Sequence, residues 1–398
     1  MVRLVLAPLL CCAILLGACA SPASVRETGP IRIGIYADLS STASLDGAAA
    51  LQGAQARVAN TNAGRGIGGR IVELLPLDTR PSAAEAVKSF SSLAQEEGVC
   101  AVIGAALTNV GIAVSPVAEL MKVPFVSLGI DDRTTTPGLR MGAADNPGAV
   151  RRFSFMVRPS ASRIASAFAS WAAERFAFRR YATVSDPADP LSSIQAGSFE
   201  SAIRTAGNVI VASVEMPADG TDFGSVIDAM ARAGVEAIFL CGSAVQNAAA
   251  AQAIHDSALP VALLGNQSWD ADFVGRAGGA LSGAWFATGM SSDDPLLADL
   301  SARMNDVSGA PARPLAAAGW DAVGLILAAV RKAGSSVPSR VRDALEQTAG
   351  FRALAGTVDM DRKTHRMSPL PVAIMRFTGG LAATVDTHYL PRAASRAP

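Results

Sequence analysis

Charge and aromatic side chains are both scarce in this chain, and each scarcity narrows the possible functions. Charged residues make up 17% of the 398 residues, and 34 basic side chains balance 34 acidic ones. No net field attracts a polyanion, so nucleic acid is a poor candidate partner. Only three tyrosines are available to line a ligand pocket. Hydrophobic residues reach 50%, which is enough for a sizeable buried core.

Groups with catalytic or metal-binding potential are also few. The three histidines, His255, His365 and His388, lie in no metal-ligand or triad spacing, and neither G-x-S-x-G nor H-E-x-x-H occurs. The glycines of segment 60–69 follow a predicted helix and precede a strand, which is the wrong polarity for a phosphate-binding turn. We therefore expect no enzyme, no metal and no cofactor.

The first 19 residues differ in composition from the rest. Leu4 to Leu16 is almost uninterruptedly apolar but shorter than the roughly 20 residues that span a bilayer, so it predicts a signal peptide. The run Leu16, Gly17, Ala18, Cys19 resembles the lipobox of bacterial lipoproteins. It implies that Cys19 receives lipid outside the cytoplasm and that residues 20–30 form a tether.

Two cysteines fall in the body of the chain. Cys100 and Cys241 each lie beside a predicted strand in separate parts of the sequence. This placement favours two buried free thiols over a disulfide.

The segment Val99 to Leu128 organises the rest of the chain. Two β-branched runs, Val99 to Ile103 and Val123 to Leu128, flank about twenty residues with helical apolar spacing, which predicts a βαβ unit. Parallel sheets bind ligands beyond the carboxyl ends of their strands. The loops there are Gly104 to Asn109 and Gly129 to Thr135. They offer backbone amides and hydroxyls but no nucleophile and base pair.

Strands and helices alternate along the remaining chain. The first alternation ends near Arg158, and a second series of strands and helices begins after it, so the length and pattern predict two α/β domains. Asp293 and Asp294 precede a predicted helix, and we interpret them as capping residues rather than as metal ligands.

Seven sequence segments span nearly the whole chain in this order: IRIGIYADLS, LQGAQARVANTNAGRGIGGR, GVCAVIGAALTNVGIAVSPVAELMKVPFVSLG, VRPSASR, GTDFGSVIDAMARAGVEAIFLCG, LAAAGWDAVGLILAAVRKAGS and AGTVDMDRKTHRMSPLPVAIMRF. Together they resemble the type I periplasmic solute-binding proteins, a group that includes the leucine/isoleucine/valine receptors and amide receptors of ABC importers. The resemblance implies two doubly wound parallel-sheet lobes joined by crossing strands near Arg158, Phe286 and Gly356. Lobe 1 is then 31–157 plus 288–355, lobe 2 is 158–287 plus 356–390, and 391–398 is a tail.

The same resemblance implies a ligand site in the cleft between the lobes. Positions that supply a hydroxyl and amides to a ligand carboxylate are matched by Ala106, Leu107 and Thr108. In the second loop, Asp131, flanked by Gly129 and Asp132, stands where amino-acid receptors have Ser or Thr, and in lobe 2 Gln267 replaces an acid. One hypothesis is that Asp131 binds the ammonium group of the ligand in place of that acid. The alternative is that the ligand is neutral or cationic. Trp269, in a polar loop, is expected to form a pocket wall.

The implied function is a lipid-anchored receptor on the periplasmic or extracellular face of the membrane. It would capture a small polar solute, such as an amino acid or an amide, for the permease of an ABC importer. The alternative is an envelope lipoprotein of the same fold that regulates a cell-wall enzyme or sensor.

Overall fold

A computed structural model describes residues 27–41, 44–104, 108–138, 149–217, 222–269, 275–304, 312–378 and 381–390. The predicted leader and its Cys19 lie outside these residues.

The described strands are β1 (Ile31–Ala37), β2 (Val72–Asp78), β3 (Ala101–Gly104), β4 (Phe125–Ser127), β5 (Ser154–Met156), β6 (Arg180–Ser185), β7 (Val209–Glu215), β8 (Ala237–Leu240), β9 (Ala262–Gly265), β10 (Trp285–Thr288), β11 (Phe351–Ala353), β12 (Gly356–Asp361), β13 (Arg366–Ser368), β14 (Val372–Thr378) and β15 (Leu381–His388). The described α-helices are α1 (Leu45–Ala63), α2 (Ala83–Gln95), α3 (Thr108–Met121), α4 (Ala161–Arg175), α5 (Pro190–Thr205), α6 (Gly224–Ala233), α7 (Ala244–Asp256), α8 (Pro295–Met304), α9 (Pro314–Ala333) and α10 (Pro338–Glu346). Asp132–Thr134 and Gly278–Leu281 form short 3₁₀ helices.

These elements form two sheets, one in each lobe. The lobe 1 sheet has the strand order β11-β12-β13-β5-β4-β3-β1-β2, and the lobe 2 sheet has the order β15-β14-β10-β9-β8-β6-β7. The central strands of both sheets are parallel, whereas β11 and β12 in lobe 1 and β14 and β15 in lobe 2 are antiparallel additions. Separate hydrophobic clusters cover the two faces of each sheet. The predicted fold class of two doubly wound α/β lobes is confirmed.

Helix α9 is the central helix of lobe 1. It is the one helix in the described residues that is long and apolar enough to cross a membrane, and 83% of its apolar window is buried inside the protein. Its apolarity therefore follows from packing against α1. The two helices approach closely because glycines lie at their contact. A Cβ on Gly53 would lie 1.9 Å from the carbonyl oxygen of Ala316, and a Cβ on Gly319 would lie 2.1 Å from the carbonyl oxygen of Ala50.

The two body cysteines are both buried and free. Cys100 directly precedes β3 in lobe 1, and Cys241 follows β8 in lobe 2, so the two thiols are held in different sheets. Burial raises the pKa of the Cys100 thiol to about 12 and raises that of Cys241 further. The prediction of two buried thiols is confirmed, and neither thiol is poised for nucleophilic chemistry.

The chain crosses between the lobes three times, and the third crossing differs from the prediction. The first lies between β5 and α4, as expected near Arg158, and the second follows β10, just after the expected Phe286. The third was predicted near Gly356, but it lies between β13 and β14. The correction has a physical reason: β12 pairs with β13, and both bury apolar side chains in the core of lobe 1. Residues 356–368 therefore belong to lobe 1.

All three crossings line one small cavity of about 40 Å³. Its walls are formed by Val157, Arg158, Pro159, Gly289, Met290, Pro314, Ala317, Ala318, Asp321, Ala355, Leu370 and Pro371. The three crossing segments are thus gathered at one place, where the first turns of α9 meet them.

The carboxyl group of Asp321 borders this cavity and accepts hydrogen bonds at 3.0 and 3.2 Å from the backbone nitrogen of Leu354. Burial raises the pKa of Asp321 to about 7, although that hydrogen bond and the charge of Arg57 act in the opposite direction. The folded protein therefore holds this proton more tightly than the unfolded chain does. The ionised Asp321 therefore lowers the free energy of unfolding above a pH of about 7. This loss becomes smaller as the pH falls toward roughly 4, the pKa of an aspartate in the unfolded chain.

The variant Asp321→Asn keeps an acceptor for Leu354 but cannot titrate. We expect it to exceed the wild type in free energy of unfolding at a pH of about 8 by at least about 1.4 kcal/mol, the equivalent of one pKa unit. The difference should shrink steadily as the pH is lowered to about 5. Urea unfolding at several pH values measures this, and a difference that does not change with pH would contradict the assignment.

Candidate functional site

The lobe 1 residues of the predicted site follow β3 and β4 in the sequence. Ala106 and Leu107 lie outside the described residues, and Thr108 begins α3. Gly129 is buried, and its backbone nitrogen donates to the Ser127 hydroxyl at 3.1 Å. Both loops lie at the carboxyl ends of neighbouring parallel strands, which is where the sequence places them.

Asp131 is bound within its own loop. It caps the short 3₁₀ helix through the backbone nitrogen of Arg133 at 2.8 Å. The guanidinium of Arg133 contacts both carboxylate oxygens, with Nε at 3.0 and 3.1 Å and Nη2 at 2.6 Å. The Asp131 side chain is 0% exposed. The hypothesis that it receives a ligand ammonium is therefore corrected, because its charge already has an intramolecular partner.

Arg133 carries the exposed charge of this loop. Its side chain is 24% exposed. Hydrogen bonding to Asp131 raises the pKa of Arg133, and the charge of Asp189 adds to this rise across the cleft. Asp189 belongs to lobe 2, where it caps α5 through the backbone nitrogen of Leu191 at 2.9 Å. The charge of Arg133 therefore interacts with a charge on the opposite lobe.

Asp132 links the two lobes, a role that the sequence analysis did not assign. Its buried carboxylate accepts hydrogen bonds from the backbone nitrogen of Ser162 at 3.0 Å and from the Ser162 hydroxyl at 2.5 Å, in the first turn of α4. Arg366, on β13, lies 2.5 Å from the same carboxylate. The only local signal is the run Asp131, Asp132, Arg133 at a strand end, and nothing in it indicates a partner more than 200 residues away.

Four side-chain amides in lobe 2 form a hydrogen-bonded network. Gln195 donates to Gln267 at 2.5 Å, Asn266 donates to Gln195 at 3.1 Å, and Asn247 donates to Asn266 at 3.2 Å. Gln267 is half-buried and the other three are buried. Gln267 is therefore the member of the network that a solute can reach, and its place in the site stays a prediction.

Trp269 does not line the cleft. Its side chain is 1% exposed and belongs to a core cluster of lobe 2, with its ring centroid 6.3 Å from that of Phe286 and 6.1 Å from that of Phe377. A Cβ on Gly265 would lie 2.1 Å from the indole, so the glycine makes room for the ring. The expectation of a pocket wall is wrong.

Within the described ranges, no group of three or more His, Cys, Asp or Glu residues could hold a metal ion. Asp294 caps α8 through the backbone nitrogen of Leu296 at 2.9 Å, whereas Asp293 accepts a hydrogen bond at 3.0 Å from the backbone nitrogen of Thr384 in β15. The capping interpretation therefore holds for Asp294 alone.

Two α/β lobes joined by three crossings define the two-lobed fold of a type I binding protein. The family model of the periplasmic binding proteins matches residues 30–380. The chain belongs to the periplasmic binding protein family, which implies an extracytoplasmic location. A search among curated proteins finds no match.

Solved structures share the fold along nearly their whole length. A substrate-binding protein of an ABC transporter from Desulfitobacterium hafniense, in complex with leucine, has a TM-score of 0.73 at 20% identity over 89% of this chain and 100% of that one. LivJ of Streptococcus pneumoniae, in complex with isoleucine, has a TM-score of 0.69 at 21% identity over 91% and 99%. A solute-binding protein of R. palustris, in complex with benzoate, has a TM-score of 0.66 at 18% identity over 92% and 99%.

Proposed function

We propose that this protein is a lipid-anchored receptor that captures a small solute between its lobes and delivers it to the permease of an ABC importer. The observation that carries the proposal is that all three crossings between the two lobes line one cavity, so that a single hinge can serve the whole molecule. Closure of two lobes around a ligand by bending of a few such segments is a recurring motion of binding proteins.

The similar structures support a small carboxylate-bearing solute. Those three proteins are in complex with leucine, isoleucine and benzoate. The three ligands share a carboxylate, whereas only two of them carry an ammonium group. For this chain we propose that the carboxylate or a related oxygen group binds at the lobe 1 loops, at Thr108 and Gly129, with Gln267 opposite.

Lipid attachment at Cys19 is part of the proposal, with a tether between Cys19 and the first residue that is held by lobe 1. Glu27 accepts hydrogen bonds from the backbone nitrogen of Ser336 at 2.7 Å and from Arg70 at 3.0 Å. Burial pushes the pKa of Glu27 up, but hydrogen bonds from Ser335, Ser336 and Arg70 outweigh it and hold the pKa at about 2. The chain is thus fixed to lobe 1 from Glu27, so the tether is shorter than residues 20–30.

Thermal unfolding with a panel of amino acids, amides and small organic acids tests the proposal. At a ligand concentration one hundred times Kd, binding should stabilise the protein by about 2.7 kcal/mol. Thr108→Ala should weaken binding by roughly tenfold or more, since a hydrogen bond to a charged group is worth about 1.5–3 kcal/mol. Thr205→Ala, on the exposed end of α5, is the matched control and should bind like the wild type.

Two results would overturn this account. If no solute raises the unfolding midpoint, the receptor function fails, and if Thr108→Ala binds as tightly as Thr205→Ala, the assignment of Thr108 fails. For the anchor, Cys19→Ser should move the protein from the membrane fraction to the soluble fraction.

A further inference from the structure

The amino end of the lobe 1 sheet is where the described chain leads back toward the proposed lipid anchor. Building on the proposed attachment of lipid at Cys19, we propose that this end of lobe 1 rests on the same bilayer. Its basic side chains contact anionic phospholipid headgroups, and its exposed apolar side chains enter the headgroup layer. We call this surface the lobe 1 base, and it comprises the segments 63–71, 120–122, 151–152 and 331–341.

A hydrogen-bonded cluster fixes the point where the tether meets lobe 1. Arg70 donates to the Glu27 carboxylate at 3.0 Å and to the Ser336 hydroxyl at 2.9 Å. Seven residues separate Cys19 from Glu27. A fully extended chain of this length reaches at most about 29 Å. The lobe 1 base therefore stays close to the bilayer in every orientation that the tether allows.

The lobe 1 base lies at the opposite edge of the sheet from the predicted solute site. Strands β1 to β5 are parallel, and the first three segments of the base precede β2, β4 and β5. Helix α10 joins this edge, because Arg342 donates to the carbonyl oxygen of Arg152 at 2.9 Å. Thr108 and Gly129 instead follow β3 and β4. Contact between the base and a bilayer therefore leaves the predicted site uncovered.

Exposed apolar side chains lie on the base beside the tether. Ile71 and Val337 directly follow the two partners of the Arg70–Ser336 hydrogen bond, and they are 55% and 45% exposed. Leu120, before β4, is 81% exposed. Single exposed apolar side chains are common on protein surfaces, so exposure alone does not indicate a membrane. Here the three share the end of lobe 1 that the tether holds near the bilayer, where such side chains gain by entering the headgroup layer.

The charge of the base complements an anionic bilayer. The whole chain has 34 basic and 34 acidic residues, but the four segments of the base contain eight basic residues and no acidic one. Two exposed acids, Glu96 and Glu97, precede β3 at the same edge and are outnumbered. Basic residues close to an anionic lipid surface are attracted to it. The exposed basic residues of the base are Arg65, Lys122, Arg152, Arg331, Lys332 and Arg340.

The tether makes this surface contact effective. A contact that is linked to an anchor is intramolecular, and a short linker gives it an effective concentration in the millimolar range. A lipid chain and a basic patch are a recurring pair of membrane signals. The patch therefore orients an anchored protein, whereas the Cys19→Ser protein, which lacks the anchor, stays in the soluble fraction.

Fluorescence quenching in vesicles tests the orientation. The lipidated full-length protein, labelled at Ile71→Cys, is placed in vesicles of phosphatidylcholine and phosphatidylglycerol that contain a headgroup spin-labelled lipid. The native Cys100 and Cys241 are buried, so the dye attaches to the introduced thiol. We expect strong quenching at Ile71→Cys and at a second variant, Val337→Cys. The matched control is Leu381→Cys, which lies beyond the amino end of the lobe 2 sheet and should show only background quenching.

Charge variants test the role of the basic residues. Arg65→Gln with Arg340→Gln should lower the ratio of docked to undocked protein by roughly 25-fold, since each basic residue at an anionic surface is worth about fivefold. Arg179→Gln with Arg232→Gln, an equal change of charge on exposed residues of lobe 2, should match the wild type. Raising the salt from about 0.1 M to about 1 M shortens the Debye length from about 10 Å to about 3 Å and should weaken the quenching.

The outcomes separate this inference from the proposed function. A lipidated protein whose Ile71 and Val337 labels are quenched no more than the Leu381 label overturns the contact with lipid and leaves the anchor and the receptor standing. Equal quenching in vesicles of phosphatidylcholine alone overturns the role of the basic residues. If Cys19 carries no lipid, the anchor and the contact fall together, while solute binding still decides the receptor function.

Discussion

Replacing Asp132 by alanine is expected to lower the free energy of unfolding by about 3–5 kcal/mol, the range seen when one partner of a buried ion pair is removed. The change leaves Arg366, whose side chain is 14% exposed, with an unpaired charge. It also removes the acceptor of two hydrogen bonds from Ser162, so the link between the lobe 1 loop and α4 is lost. Urea unfolding measures the loss.

Glu73→Ala is the matched control for this prediction. Glu73 forms an ion pair with Arg32 at 3.1 Å, and both side chains are well exposed, at 39% and 44%. A surface pair of this kind contributes about 0–1 kcal/mol. If Asp132→Ala costs no more than Glu73→Ala, then the buried carboxylate does not hold the lobes together as described.

Replacing Trp269 by alanine is expected to cost about 3–5 kcal/mol, as for other large aromatic side chains removed from a core. The cavity would open next to Phe286 and Phe377. Trp269→Phe keeps an aromatic ring in the same cluster and should cost much less. Thermal or urea unfolding of the two variants gives the comparison.

Solute binding by Trp269→Phe separates a packing role from a pocket wall. If the Trp269 ring only packs in the core of lobe 2, Trp269→Phe should bind the best ligand with a Kd within about threefold of that of the wild type, because no ligand contact is lost. A large loss of affinity in a stably folded Trp269→Phe would contradict the packing assignment and restore Trp269 to the site.

The elements of the fold were predictable because hydrophobic periodicity is a local signal. The segment Val99 to Leu128 folds as β3, α3 and β4. The third crossing was misplaced because the strands on either side of Gly356 carry the same short alternating pattern, and the pattern does not say which sheet they join. The signal nearest the true crossing is Pro369 and Pro371, on either side of Leu370.

The site was harder to predict than the fold because its key contacts join residues that are far apart in the sequence. The sequence marks Asp131 as unusual, but it does not show that Arg133, two residues away, is its partner. Asp132 pairs with Arg366, and no local pattern in a single sequence connects them. The polar loop around Trp269 predicts exposure, whereas the space left by Gly265 accommodates a buried ring.

The central claim is that the lobes close on a solute about the hinge where the three crossings meet. Small-angle X-ray scattering of the full-length protein, with and without a saturating concentration of the tightest solute from the ligand panel, tests it most directly. The account predicts a smaller radius of gyration when the solute is bound. A solute that raises the unfolding midpoint but leaves the radius of gyration unchanged would contradict closure about this hinge.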